Sequence, residues 1–246
     1  MIRSRASRAL AAVALLVVSA CGSSAPKERP LTTDEADRLA GGLFANHEAG
    51  GATFTLNTTF TGTGSTLAMS GIVDWSTFSG QATVTATGQE SGVTEVFWNQ
   101  KVIVERRPAL DAVLAATGRP GARYMYRAVD TGKRQLDRAI GILLGLASAQ
   151  RENAILISQK EGSAFLRTDK WRGETVDVLR YGSQNRFWLQ QGTSVLRRFD
   201  GNAAAGGAPI IIDFLQTGKR SVSPPPQSLV VSADEIKEAY AAAAGG

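Results

Sequence analysis

Cysteine and histidine are almost missing from this chain of 246 residues, which holds one of each, Cys21 and His47. A single thiol excludes any internal disulfide, so stability has to come from packing. A single imidazole excludes the usual histidine-rich metal clusters, and no Asp/Asn/Gly calcium loop of the regular kind occurs. A nucleophile elbow, a phosphate-cradling glycine loop and a signature of paired carboxylates are also missing. Gly62-Thr63-Gly64 falls between two strand patterns and not between a strand and a helix, so it is no nucleotide loop. The scattered acids Asp74, Glu95, Glu105, Glu174 and Asp177 leave a carboxylate pair in space open, but the expectation is a protein with no enzymatic activity, no cofactor and no metal. The apolar run Ala9 to Val18 has ten residues, whereas a bilayer span needs roughly twenty.

That short run carries the strongest signal present. Arg3, Arg5 and Arg8 precede it and Val18-Ser19-Ala20-Cys21 follows it, which reads as a secretory signal stopping at a lipid-attachment box. Bacterial lipoproteins carry this pattern. Cys21 would become the new N-terminus, thioether-linked to a diacylglycerol; a plain secretory signal with an incidental cysteine is the alternative. The expectation is a lipoprotein signal peptide over 1–20, a flexible tether over 21–30, and one domain over 31–246, held at the outer face of the cell membrane. Charge shrinks with the signal: losing three arginines leaves 24 basic against 22 acidic side chains, so the net charge falls from +5 to +2. That is no basis for a nucleic-acid partner.

Thr32 and Glu35 form a capping-box pair, and Ala36, Leu39, Ala40, Leu43 and Phe44 follow at helical spacing, predicting a helix from about Thr33 to Glu48. From Ala52 to Arg106 the texture changes to threonine, valine and aromatics in period two. Turns at Gly62 to Ser65, Ser79-Gly80, Ser91-Gly92 and Asn99-Gln100 divide it into five antiparallel strands. Phe54, Leu56 and Phe60 share one face, as do Leu67, Met69, Val73 and Trp75, while the opposite faces are mostly polar, so this sheet is wet on one side. Pro108 opens a short helix bearing Leu110, Val113 and Leu114, closed by Gly118. A helix from about Lys133 to Gln150 is apolar over well over half its circumference through Leu136, Ile140, Ile142, Leu143, Leu144 and Leu146, and needs cover on more than one side. Five more strands are predicted near 163–168, 173–181, 185–190, 193–199 and 208–217. Pro224-Pro225-Pro226 then forces an extended stretch, and Ser232 with Glu235 caps a closing helix.

This order behind a lipid-attachment box, with Gly71-Ile72-Val73-Asp74-Trp75 in an early strand, the helical insertion over 108–150 and Gly173-Glu174-Thr175-Val176-Asp177-Val178-Leu179 in a later one, resembles the actinobacterial LppX/LprG-type lipoproteins, relatives in fold of the LolA carriers. The resemblance covers roughly 31–245. It implies an α+β fold in which one large curved antiparallel sheet, a half-barrel, wraps several helices, with acyl chains in the apolar space between. The pocket would then be lined by Phe54, Leu56, Phe60, Leu67, Met69, Val73, Trp75, Val102, Val104, Leu110, Val113, Leu114, Leu136, Ile140, Leu143 and Leu144.

Composition alone fits an ordinary core equally well. A carrier has to offset about 0.8 kcal/mol per methylene as a chain leaves the bilayer, which a dry apolar shell does. Around the central helices Arg119, Arg123, Arg127, Lys133, Arg134 and Arg138 meet only Asp130 and Asp137, and Arg123, Arg127 and Arg134 are candidate contacts for an anionic head group; a solvated basic surface is the plainer role. Trp75, Trp98, Trp171 and Trp188 are expected as core pieces, and His47 as a helix-end residue. The function expected is binding, and carriage, of acylated lipids or glycolipids. The alternative is an envelope sensor or adaptor that binds a protein partner, such as an envelope transporter, through the concave sheet.

Overall fold

Thr32 and Glu35 start the first element by reciprocal hydrogen bonds: the Glu35 N–H donates to Thr32 Oγ1 (3.2 Å) and the Thr32 N–H to the Glu35 carboxylate (2.9 Å). Helix α1 (Thr33–Ala49) ends where Gly50 adopts φ 78°, a left-handed turn that a side chain would strain. The computed structural model describes residues 28–60, 62–116, 121–202 and 209–237. Cys21, the signal segment, most of the tether, Gly118 and Arg119 lie outside the described residues.

Five strands follow, as the alternation predicts: β1 (Gly51–Phe60), β2 (Ser65–Asp74), β3 (Ser79–Ala86), β4 (Glu95–Trp98) and β5 (Val102–Arg106). One turn is displaced from its predicted place. Residues 75–78 make it, with Phe78 at φ 51°, and Ser79-Gly80 opens β3 instead. Gly80 is required by contact, since a Cβ there would stand 2.0 Å from Trp98 Cζ2. After a 3-10 turn at Pro108–Leu110 come α2 (Asp111–Ala116), β6 (Tyr124–Ala128), α3 (Gln135–Gly145) and α4 (Ala154–Gln159). Neither β6 nor α4 is predicted by periodicity, and α3 stops short of Gln150. The chain then runs through β7 (Ala164–Trp171), β8 (Glu174–Tyr181), β9 (Asn185–Gln190), β10 (Leu196–Asn202), β11 (Pro209–Thr217) and a short β12 (Val230–Ser232). Residues 233–237 are helical, with Ser232 Oγ accepting from the Asp234 N–H at 3.3 Å.

All twelve strands form one sheet in the order β12-β6-β5-β4-β3-β2-β1-β11-β10-β9-β8-β7, antiparallel except for the β12–β6 pair. This is the α+β architecture expected. Pairing of β1 with both β2 and β11 joins the two halves. Because β6 lies beside the β12 edge and β7 forms the other edge, the connection that carries α3 and α4 crosses the sheet, and Leu136, Ile140 and Leu143 of α3 pack it against the inner face. The β7 edge is guarded by Arg29, whose N–H and C=O both bond to Phe165 at 3.1 and 2.9 Å, so the tether's last residues cover an edge that would otherwise template pairing.

The inner face and the helices make one main core, in which Phe54, Leu56, Trp75, Leu136, Leu143 and Phe214 are fully buried. Two polar contacts seat the far end of α3: Trp75 Nε1 donates to the Leu143 carbonyl (3.3 Å) and Asn46 Nδ2 to the Leu146 carbonyl (2.7 Å). Arg38 on α1 reaches buried Asp177 on β8 at 3.0 Å. On the outer face Trp171, Val176, Val178 and Trp188 form a satellite cluster. The polar outer face expected for β1 and β2 therefore does not extend to β7–β9. Trp75 and Trp98 belong to the main core.

Candidate functional site

The residues expected to line a pocket part into three places. Phe54, Leu56, Phe60, Leu67, Met69, Val73, Trp75, Leu136, Ile140 and Leu143 are each at most 5% exposed and pack into the main core, with half-buried Leu144 against it. Sheet and helix fill one another here, as closely packed interiors do. Val102 and Val104 point the other way. They alternate with buried Ile103, and on the outer face, with Phe97, Val222 and Pro224, they line a groove of about 160 Å³. Residues 219–226, with the three prolines, cross that face, where the Ser223 N–H donates to the Gln81 side chain at 3.4 Å. Leu110 and Leu114 join Ala122, Met125, Val231 and Ile236 in a separate cluster by β6 and β12, and Val113 is buried on the same helix.

The apolar hollow lies at the other end of the inner face. Leu39 and Leu43 of α1, Ile142, Gly145 and Leu146 at the end of α3, Ile157 of α4, and Tyr181, Phe187 and Phe199 of β8–β10 enclose about 290 Å³, with Glu152 and Asn185 as its polar members. Phe187 and Phe199 meet edge to face at 5.2 Å. Three main-chain features hold the helices around it: the Ser148 N–H donates to the Leu43 carbonyl (3.1 Å), the Glu152 N–H to the Ala40 carbonyl (3.3 Å), and Asn153 caps α4 through the Ile155 N–H (2.9 Å). Leu39, Leu43, Ile142 and Leu146 carry the helical periodicity in the sequence. What no periodicity supplied was the strand order that brings Phe187 and Phe199 beneath them.

The three candidate head-group arginines also separate. Arg127 and Arg134 line a polar hollow of about 420 Å³ with Glu105, Arg107, Met125 and Lys237, while Arg123 is exposed, its N–H donating to the Leu229 carbonyl, its own carbonyl accepting from Arg106, and its charge acting on Asp111. Arg127 is already occupied by Asp137 at 2.8 Å twice, and by Glu105 at 3.5 Å. Arg107 pairs with Glu105 and Glu90, both at 3.1 Å, and Arg134 stands 3.7 Å from Glu90. Burial pulls the Arg127 guanidinium down; hydrogen bonding to Asp137 and the charges of Glu105, Asp137 and Glu90 outweigh it and leave it above its ordinary value. The cluster is an internally neutralised ion network in which Arg127 and Arg134, two of the three candidate head-group contacts, already face carboxylates, while Arg123 stands outside it. Between β5 and β10 the sheet order places six strand spacings, roughly 29 Å along the sheet. The packed main core lies between the two hollows.

The candidate carboxylates are all engaged structurally. Burial pushes Asp74 up, but hydrogen bonds from Ser76 and Thr77 prevail and hold it below the usual range. Glu95 accepts from Tyr124 (2.9 Å), Glu174 binds Arg197 (2.8 Å), and Asp177 binds Arg38. Half-buried His47 ends α1. Among the described residues no group of three or more His, Cys, Asp or Glu is arranged to hold a metal, and no helix is long and apolar enough to cross a membrane.

No protein-family model matches the chain, and neither does any curated protein. Solved structures similar to it include LprF from Mycobacterium bovis, at 12% identity and TM-score 0.43, covering 80% of this chain and 98% of that one. A LolA superfamily protein from Nitrosomonas europaea is similar at 10% identity and TM-score 0.31, over 78% and 96% of the two chains. The MucA/MucB complex of Pseudomonas aeruginosa matches at 12% identity and TM-score 0.34, over 82% of this chain and 62% of that one. Structures of the expected LolA-like and LppX/LprG-type kind are thus among those the chain is similar to, and the likeness is one of fold.

Proposed function

We propose that this protein is an exported lipoprotein, anchored through Cys21 at the outer face of the cell membrane, that binds an acyl chain of a lipid or glycolipid and exchanges it with the bilayer without covalent chemistry. One observation supports the reading above the rest: the apolar hollow bounded by α1, α3, α4 and β8–β10, at about 290 Å³. It stands at the lower end of the roughly 300 to 1,000 Å³ of ligand pockets, which suits one alkyl chain with its polar head outside. Each methylene moved from water into such a space gains about 0.8 kcal/mol, so even a partly buried chain is held. Loading a larger ligand needs α4 to swing, and that helix has only six residues, of which Ile157 alone is buried.

The filled main core favours a second reading, an adaptor whose surface binds a protein partner in the envelope. Native mass spectrometry of the full chain, extracted gently from a bacterial host that exports it, separates the two. An acyl-bearing ligand at one per chain supports carriage. An empty chain bound stoichiometrically to another protein sinks it in favour of the adaptor.

A further inference from the structure

Four large hydrophobic side chains among the described residues stand exposed, and two of them are neighbours: Ile155 and Leu156 on α4, each 65% exposed, against 36% and 37% for Tyr126 and Ile211. A protruding aliphatic pair on a six-residue helix is a costly surface to leave in water, and its place in the fold says what covers it. Ile157, the next residue, is buried and lines the apolar hollow, so α4 is one wall of the hollow on its inner side and carries the exposed pair on its outer side.

The N-terminal segment comes in beside it. Glu28, the first described residue, pairs with Arg180, whose Nε also donates to the Gly162 carbonyl at 2.6 Å. Gly162 lies three residues beyond the end of α4, so Ile155 and Leu156 are within about 17 Å of it along the chain, and Glu28 stands one side-chain bridge away. Cys21 is seven residues before Glu28, a reach of at most about 25 Å. A lipid on Cys21 therefore holds a bilayer surface within that distance of Glu28, on the part of the molecule that carries α4.

We propose that Ile155 and Leu156 dip into the lipid bilayer and hold α4, one wall of the apolar hollow, against it, so that an acyl chain passes between membrane and protein by the shortest path through water. The proposal rests on lipid attachment at Cys21. The occupant it commits to is the bilayer; a second copy of the chain is the competitor that the experiment removes.

The test uses the full lipidated chain in vesicles of phosphatidylethanolamine and phosphatidylglycerol. Because Cys21 is the sole cysteine and lipidation consumes its thiol, Q159C supplies the single free thiol for an environment-sensitive bimane label. Gln159 is exposed and follows Ile155 by four positions, on the same helical face. The control label, T77C, sits in the β2–β3 turn by the far end of α1, a helix of 17 residues and about 25 Å. The expected result is blue-shifted emission and quenching by doxyl lipid at position 159 and not at 77, both lost in I155S/L156S. That double variant keeps the wild-type melting temperature, since both side chains are exposed.

A water-like signal at 159 in a chain carrying one label overturns the α4 contact and leaves the anchor standing. Two labels per chain mean that Cys21 carries no lipid, and the anchor reading fails with the proposal. A shift at 159 that appears only at high protein density, with copies cross-linking through position 159, assigns the pair to self-association and overturns the bilayer contact.

Discussion

Arg127 on β6 and Asp137 on α3 share two hydrogen bonds of 2.8 Å in parallel, and the same carboxylate accepts the Asp130 N–H at 2.6 Å. This contact fixes the start of α3 as it leaves the sheet. Removing the cation strands a buried carboxylate, so Arg127→Met is expected to cost about 3 to 5 kcal/mol in urea unfolding. Adding Asp137→Asn removes the orphaned charge, keeps an acceptor for Asp130, and should recover about 2 kcal/mol. Arg123→Met, at an exposed side chain, should change stability by less than about 0.5 kcal/mol. Equal losses at Arg123 and Arg127 would contradict the separation of the two.

The acid response is expected to centre on Glu35. Hydrogen bonding to Arg29, at 2.7 Å twice, holds its carboxyl at about 2, against an ordinary value of 4.5. A depressed acid contributes stability that is complete above its unfolded value and disappears as pH falls from about 4.5 towards 2. Arg29 is 43% exposed on its side chain, so solvent screening leaves roughly 2 kcal/mol of the effect. Glu35→Gln should therefore be less stable than wild type at pH 6 by about that amount and converge with it only as the pH falls to about 2. Parallel stability curves over that interval would remove Glu35 from the account.

Where a local rule decides, the sequence was a good guide. The Thr32/Glu35 box and Gly50 bound α1 to within a residue, and the five strands of the first half are all present, with the turn between β2 and β3 displaced to residues 75–78. Long-range contacts explain the failures. Tyr124–Ala128 reads as part of a charged stretch because Arg127 can be buried only once Asp137 and Glu105 meet it. The hollow depends on the pairing of β1 with β11, which carries Phe187 and Phe199 beneath residues some 145 to 160 positions earlier in the chain, Leu39 and Leu43. Val102 and Val104 look like inner-face residues until Ile103 claims that side.

Gly80 tests the displaced turn. As a turn glycine it would tolerate alanine at modest cost, whereas under Trp98 a Cβ meets Cζ2 at 2.0 Å and the Ile72 carbonyl at 2.7 Å. Gly80→Ala is expected to lower stability by about 3 kcal/mol through overpacking. Trp98→Phe removes the Cζ2 atom, so the two changes together should cost measurably less than their sum, as residues in contact do. Strict additivity in thermal or urea unfolding would return Gly80 to a turn role.

Gly145 gives the most direct probe of ligand binding, because it lines the hollow at the end of α3 and a Cβ there meets nothing within 4 Å. Its backbone is not left-handed, so Gly145→Phe adds a ring without strain and puts it in the space that an acyl chain would occupy. Gly141, on the same helix and outside the hollow, has its nearest neighbour at 3.7 Å and serves as the matched control. With a fluorescent polyene fatty acid as probe, Gly145→Phe should weaken binding by at least about tenfold, or 1.4 kcal/mol, while Gly141→Phe leaves it within about twofold. Both helix substitutions remove a glycine, so neither is expected to lower the melting temperature by more than about 2 °C. If both variants bind the probe like wild type, the hollow is not where the chain goes. If both lose it equally, the effect belongs to α3 as a whole and not to the space beside Gly145.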